Sequence, residues 1–328
     1  MRRLKNLRWP RVLRLTVFGV FATLLALDVG AAWLYVRALT HPACGGNPDA
    51  LSMHPIPQEI QLKTADGLTL DAWYYPSQNG AAVIMMGGMG GSLGSALPRA
   101  APLLEAGYGI LQIESRACAE PRSPVTLGFN EALDAEAGLQ YLLQKRSINA
   151  EQIGIYGFSM GGVAAIRAAA RNPEIAAVLA EGGYHNLGED ILESDRPVPP
   201  PLWQRIFLHT VAGMFRAQTG VNPWASSPID DLPAISPRPV LLVYGEGELV
   251  SGRGREQYEA ASEPKELWVV PGGAHGANHL AAGPAYDEKV LAFFDRALLG
   301  ECAQTLIYMP FTSLPYNLNK SNSRGAHA

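Results

Sequence analysis

Four short segments carry residues whose types and spacing could do chemistry together. In IGIYGFSMGG, Ile153–Gly162, Ser159 stands between Gly157 and Gly161 at the end of a β-branched apolar run. A serine hydroxyl is a poor nucleophile until a base takes its proton and the reacting carbonyl is held nearby. Glycines at i−2 and i+2 permit a sharp strand-to-helix turn that exposes the side chain, and a helix starting at Met160 aims backbone N–H groups at developing negative charge. The alanine-rich helical run that follows separates this stretch from an ordinary serine-glycine turn.

The base must arrive on another element. His275, in VVPGGAHGANH, follows a strand-like run in a glycine-rich loop, and its neutral ring can accept the hydroxyl proton and return it to a leaving group. His279 lies further into the segment, while His185 and His209 belong to or near a later insertion. A third group has to fix the imidazole tautomer. LLVYGEGELV offers Glu246 and Glu248 after a strand, and Glu248 gives the chain order nucleophile, acid, histidine. Met85–Ser92, MMGGMGGS, is a glycine-dense turn whose backbone can donate to an oxyanion opposite the Met160 N–H, with Gly88 as first choice and Met89 as the alternative. This turn lacks the Lys-Ser/Thr ending of a nucleotide P-loop and is not GxGxxG, and the histidines have no compact metal-ligand spacing. Acyl transfer needs neither cofactor nor metal.

The elements that position these groups alternate. Gln58–Thr64 and Leu68–Pro76 read as an antiparallel hairpin around Ala65-Asp66-Gly67. Strand character at Ala81–Met86, Tyr108–Ile113, Ile153–Tyr156, Ile175–Ala180, Val240–Tyr244 and Glu266–Val270 then alternates with helical runs at Ser95–Ala106, Phe129–Leu143, Met160–Arg171, Arg255–Ala261 and Asp287–Leu299. That rhythm predicts an α/β fold with a mostly parallel central sheet and helices on both faces. His185–Pro239 breaks it. Pro197, Pro199, Pro200 and Pro201, with Trp203, Phe207, Phe215 and Trp224, mark a small helical cap, read equally as surface packing or as an apolar wall for an acyl group.

The amino end has a different character. Met1–Arg14 carries six cations and no acid, and Leu15–Val36 is a 22-residue mainly apolar run, long enough to cross a bilayer as a helix. The basic flank predicts a cytoplasmic N-terminus with the rest of the chain outside. Secretion after signal cleavage is the alternative, although the run is long for a signal peptide and lacks a clean A-x-A site. Asp28 interrupts the run and requires protonation, pairing or a helix neighbour. The layout is a basic cytoplasmic segment at 1–14, a transmembrane signal anchor at 15–36, a linker at 37–57, a catalytic domain at 58–302 with a cap at about 185–238, and a largely mobile extension at 303–328.

With 48% apolar and 17% charged residues in 328, the chain can bury a large core, and its net charge of −4 argues against a nucleic-acid partner. Protein partners are not legible. Cys44, Cys118 and Cys302 match no zinc or CxxC spacing and allow at most one intramolecular disulfide, which the sequence neither requires nor excludes.

Across roughly Gln58–Leu299 the sequence resembles the α/β-hydrolase superfamily, and within it the ABHD-like membrane-anchored serine hydrolases, with some similarity to the catalytic domains of prolyl-oligopeptidase-type proteins. GFSMG matches the nucleophile elbow and carries that role to Ser159. GEGE corresponds to the G-x-x-D turn and implies Glu248 as acid, with glutamate where aspartate is more usual. GGAHG matches the histidine loop at His275, and MGGMGG the oxyanion loop, with Met86 where a histidine often stands. ESRACAE, Glu114–Glu120, occupies the place of an aspartate-arginine-glycine turn. The resemblance implies a serine hydrolase that cleaves a carboxylic ester or related acyl bond through an acyl-enzyme, with a small-molecule or lipid-like acyl ester as substrate. A prolyl-oligopeptidase-like peptidase and a noncatalytic membrane-anchored scaffold are the alternatives.

Overall fold

The computed structural model describes residues 9–44, 47–50, 53–193, 200–251 and 253–300. Pro197, Pro199, Cys302 and the expected tail at 303–328 lie outside the described residues. The strands are β1 (Gln58–Lys63), β2 (Thr69–Tyr75), β3 (Ala82–Met86), β4 (Gly109–Ile113), β5 (Ile153–Phe158), β6 (Ile175–Glu181), β7 (Val240–Gly245) and β8 (Lys265–Val270). They form one sheet in the order β1-β2-β4-β3-β5-β6-β7-β8. The β1–β2 and β2–β4 pairs are antiparallel, and every other pair is parallel.

Strand pleating explains why the central strands are apolar throughout. In β3, Ala82, Ile84 and Met86 join the core on one face of the sheet, while Val83 and Met85 join the core on the other. In β7, Val240, Leu242 and Tyr244 divide from Leu241 and Val243 in the same way. Burial of one such Val, Leu or Ile contributes about 1.5–3 kcal/mol, so a charge in the middle of either strand would be costly.

Helices α1 (Trp9–Thr40), α2 (Leu97–Glu105), α3 (Glu131–Leu143), α4 (Met160–Arg171), α5 (Leu187–Glu193), α6 (Leu202–Thr219), α7 (Pro228–Asp231), α8 (Arg253–Ala260), α9 (Asn278–Ala282) and α10 (Pro284–Phe294) complete the described elements, with short 3₁₀ turns and a π turn after α10. α3 and α4 cover one face through small residues such as Ala132, Ala135, Ala164 and Ala168, and α2 and α10 cover the other through Leu103, Tyr286, Val290 and Phe294.

The expected apolar run is contained in the longer helix α1, which extends past Val36 to Thr40. Its first half is bare, whereas Ala32 and Val36 are fully buried against Val211 and Phe215 of α6. Asp28 accepts a hydrogen bond from Thr210 Oγ1 at 2.6 Å, which supplies the partner its position demands. The cap is therefore packed on α1, an arrangement that neither reading of its aromatics foresaw. Phe215 is buried there, while Trp203 stands 70% exposed.

The segment after α1 is stitched to the body. Cys44 and Cys118 form a disulfide with Cα atoms 5.5 Å apart, and the Val125 N–H donates to Thr40 O at 2.8 Å. Asn47 donates to Glu114 at 2.7 Å and accepts from the Leu93 N–H at 2.8 Å, holding the end of the glycine-dense loop.

Candidate active site

The turn between β5 and α4 brings Ser159 to the C-terminal edge of the sheet. Its backbone has φ +55° and ψ −121°, a conformation that side chains rarely adopt and that needs support from its surroundings. The support is close backbone packing. A Cβ on Gly157 would lie 2.0 Å from Gly161 O, and one on Gly161 would lie 2.3 Å from Met86 O. Both glycines are thus required by contact, which is the reason the sequence places them two residues either side of the serine.

His275 enters on the loop after β8. Its Nε2 lies 2.9 Å from Ser159 Oγ and its Nδ1 lies 2.8 Å from Glu248 Oε1. Because an ionised carboxylate only accepts, Nδ1 carries the ring proton and Nε2 is left to accept from the serine. Glu248, in the turn after β7, also accepts from the Gly245 N–H at 2.7 Å and from Asn278 Nδ2 at 3.2 Å. Burial pushes its carboxyl upward, but the hydrogen bonds from His275, Gly245 and Asn278 outweigh it and hold the group below the ordinary glutamate value.

The other sequence candidates lie elsewhere. Glu246 is exposed and accepts from the Gly272 N–H at 3.1 Å. His185 faces Glu189 and Glu256, each at 3.1 Å, and His209 is exposed on α6. His279 packs edge-on against Tyr286.

Gly88 abuts Ser159 from the glycine-dense loop, since a Cβ there would lie 3.5 Å from Ser159 Cβ. Met160 is the first residue of α4, so its N–H has no acceptor inside the helix. Met89, the alternative donor expected from the sequence, is 46% exposed on the same loop. Behind the loop lies a cavity of about 170 Å³ whose lining includes Met86, Gly88, Met89, Ser95, Arg99 and Phe158.

Four residues that sequence reasoning missed organise the site from below. Gly182, at φ +67°, follows β6; a Cβ there would come within 3.0 Å of both Glu248 Oε1 and His275 Nδ1, so only glycine leaves room for that pair. Glu181, fully buried, accepts from Arg99 Nε at 3.1 Å, Tyr156 at 2.6 Å, Tyr286 at 2.7 Å and Asn278 at 3.1 Å. Burial pushes both tyrosine hydroxyls far above their usual range, which keeps them as donors. Arg99 also donates to Gly276 O at 3.2 Å and lies 4.4 Å from the centre of the Phe158 ring. It thereby clamps the histidine loop to the elbow. A charged residue closing the apolar strand IAAVLAE was the available signal for Glu181; no local pattern marks Asn278 or Gly182.

No family model matches the chain. An uncharacterized Mycobacterium tuberculosis protein is 26% identical over 295 residues, covering 88% of this chain and 97% of that protein. Among solved structures, the α/β hydrolase GrgF from a Penicillium species is 21% identical with a TM-score of 0.58, covering 74% of this chain and 99% of that one. The Pyrococcus furiosus esterase Pf2001 is 22% identical with a TM-score of 0.62, covering 79% of this chain and 98% of that one. Together with the strand order and the β5–α4 elbow, these superpositions establish that the chain has the α/β-hydrolase fold.

Proposed function

We propose that the protein is a serine hydrolase that cleaves a carboxylic ester or related acyl bond. The observation that carries this reading is the continuous line from Glu248 through the His275 ring to Ser159 Oγ, with contacts of 2.8 and 2.9 Å. Ser159 attacks the acyl carbon as His275 Nε2 takes its proton. The oxyanion is met by the N–H groups of Met160 and Gly88, with Met89 as the alternative second donor. His275 then protonates the leaving alcohol, and a water deprotonated by the same ring releases the acyl group and restores the serine. Glu248 holds the tautomer and stabilises the imidazolium without taking the proton.

The esterase and hydrolase names of the structural neighbours support this class over a noncatalytic scaffold. The bare apolar half of α1 supports a membrane-anchored protein, and the cations of Met1–Arg14 support a cytoplasmic N-terminus. The Cys44–Cys118 disulfide supports an oxidising compartment for the body.

The test is a fluorophosphonate probe and a panel of acyl esters and blocked peptides on purified full-length protein. Ser159→Ala is expected to abolish labelling and to lower ester turnover by about 10⁴-fold or more. Equal turnover by the variant would remove Ser159 from the mechanism, and faster cleavage of the peptides would favour the peptidase.

A further inference from the structure

The proposed function leaves the outer surface of the cap unexplained. At the start of α6, Leu202 is 72%, Trp203 70% and Ile206 53% exposed. Leu202, Ile206 and Thr210 lie on one stripe at i, i+4 and i+8, and Thr210 is the residue bonded to Asp28. The Thr210 end of the stripe therefore sits at the level of Asp28 on α1. The opposite side of α6, with Val211 and Phe215, is the side buried against Ala32 and Val36.

The depth of that level follows from length. On α1 the bare apolar stretch Leu15–Leu27 is thirteen residues, about 20 Å of helix at 1.5 Å per residue, against a hydrocarbon core of about 30 Å. Apolar contact must continue about seven residues further, through the level where α6 packs on α1. There α1 still exposes Val29, Trp33 and Leu34, Asp28 is bonded to Thr210 of α6, and Leu202, Trp203 and Ile206 add to this apolar surface along α6. Arg205 and His209 stand exposed beside the stripe, polar heads on a helix whose neighbours are apolar.

We propose that the N-terminal half of α6 is a second membrane contact, which sinks Leu202, Trp203 and Ile206 into the interfacial layer of the leaflet from which α1 emerges. The occupant of this surface is the lipid bilayer, and the inference rests on the reading of α1 as a membrane span. The catalytic body is then seated on the leaflet at two points, and Trp203 occupies the interfacial zone that suits an indole. This orientation favours substrates partitioned into the membrane over freely soluble esters.

The experiment places full-length protein in phosphatidylcholine vesicles whose acyl chains carry bromine near the glycerol end, and compares wild type with Trp203→Phe and Trp33→Phe. The emission assigned to each tryptophan by difference is expected to fall about two-fold in brominated vesicles, as for side chains at the interfacial belt. Leu202→Glu/Ile206→Glu is expected to relieve the quenching of Trp203 alone and to leave turnover of a soluble ester within about two-fold, since exposed substitutions seldom disturb the fold. Quenching of Trp33 with Trp203 open to aqueous iodide would overturn the proposal and leave the span intact. Trp203 shielded from both quenchers would overturn it in favour of a protein covering, such as a second copy. If neither tryptophan were quenched, the span and the second contact would fall together. The quenching readouts do not depend on turnover, so failure of the hydrolase reading is separately visible.

Discussion

Two buried arginines carry out the same chemistry in different surroundings. Arg99 on α2 and Arg116 in the turn after β4 are each nearly excluded from solvent and paired with a buried carboxylate. Arg99 joins parts of the chain far apart in sequence, Glu181 and Gly276, and its carboxylate partner is also satisfied by Tyr156, Tyr286 and Asn278. Arg116 gathers nearer residues, Asp134 at 2.6 Å, Asp66 at 3.0 Å and Asn130 O at 2.6 Å, and holds both oxygens of Asp134 itself. A carboxylate shared among neutral donors tolerates loss of its cation better than one held by the cation alone. The first cluster therefore tunes geometry at Ser159, and the second maintains the fold.

The largest effect expected is on stability. Arg116→Met strips both oxygens of Asp134 of their donor and should cost about 3–5 kcal/mol in urea unfolding, the range for breaking a buried pair. Turnover per fluorophosphonate-reactive site should stay close to wild type. A loss below 1 kcal/mol would mean that Asp134 finds other donors and would erase the contrast.

The disulfide two residues beyond Arg116 sharpens the same point, because it ties the segment after α1 to that turn across 74 residues of sequence. Cys44→Ser/Cys118→Ser should lower stability by about 2–4 kcal/mol, which non-reducing and reducing melts of the wild type would check. If reduction left the melt unchanged, the stitching by Thr40, Asn47 and their partners would suffice without the covalent link.

Arg99→Met should instead lower kcat by about 10–100-fold with little change in KM, since a misplaced histidine loop costs attack geometry rather than ground-state binding. Its stability loss should be smaller than that of Arg116→Met, and Arg99→Lys should recover part of the rate. Equal stability losses with unaltered kcat would assign both arginines to the fold.

The smallest effect concerns pH. Glu248 is held below its ordinary value, so its contribution to stability is fully present above the unfolded-state value of about 4.3 and is lost as pH falls through the folded-state value. The stability difference between wild type and Glu248→Gln should be flat from about pH 6 upward and should narrow in acid. A difference that widened as pH fell would reverse the sign of the shift.

Much of the fold was legible because its signals are local. β3 and β7 are buried on both faces, so the sequence can only be an unbroken apolar run there, and each expected strand was found to within two residues at either end. Met160–Arg171 agrees with its expected bounds because Ser159 and Asn172 flank a run of good helix formers. Ser159, Glu248 and His275 were legible for the same reason, since each stands in the tight turn after its strand. The preference for Glu248 over Glu246 rests on the G-x-x-D likeness, since both give the same chain order, and the turn's path decides which carboxylate reaches Nδ1.

The sequence by itself determined the alternation of strands and helices, the elbow around Ser159, and the bilayer-length apolar run with its one interrupting acid. Those features depend on periodicity and on residues a few positions apart. Tertiary structure alone decided that Cys44 bonds Cys118, that Glu181, Arg99 and Asn278 converge beneath His275, that Gly182 clears space for the Glu248 contact, and that the cap lies on α1 with Thr210 against Asp28. Each of these joins segments dozens of residues apart, and a contact of that kind is set by how the layers pack rather than by any pattern within one segment.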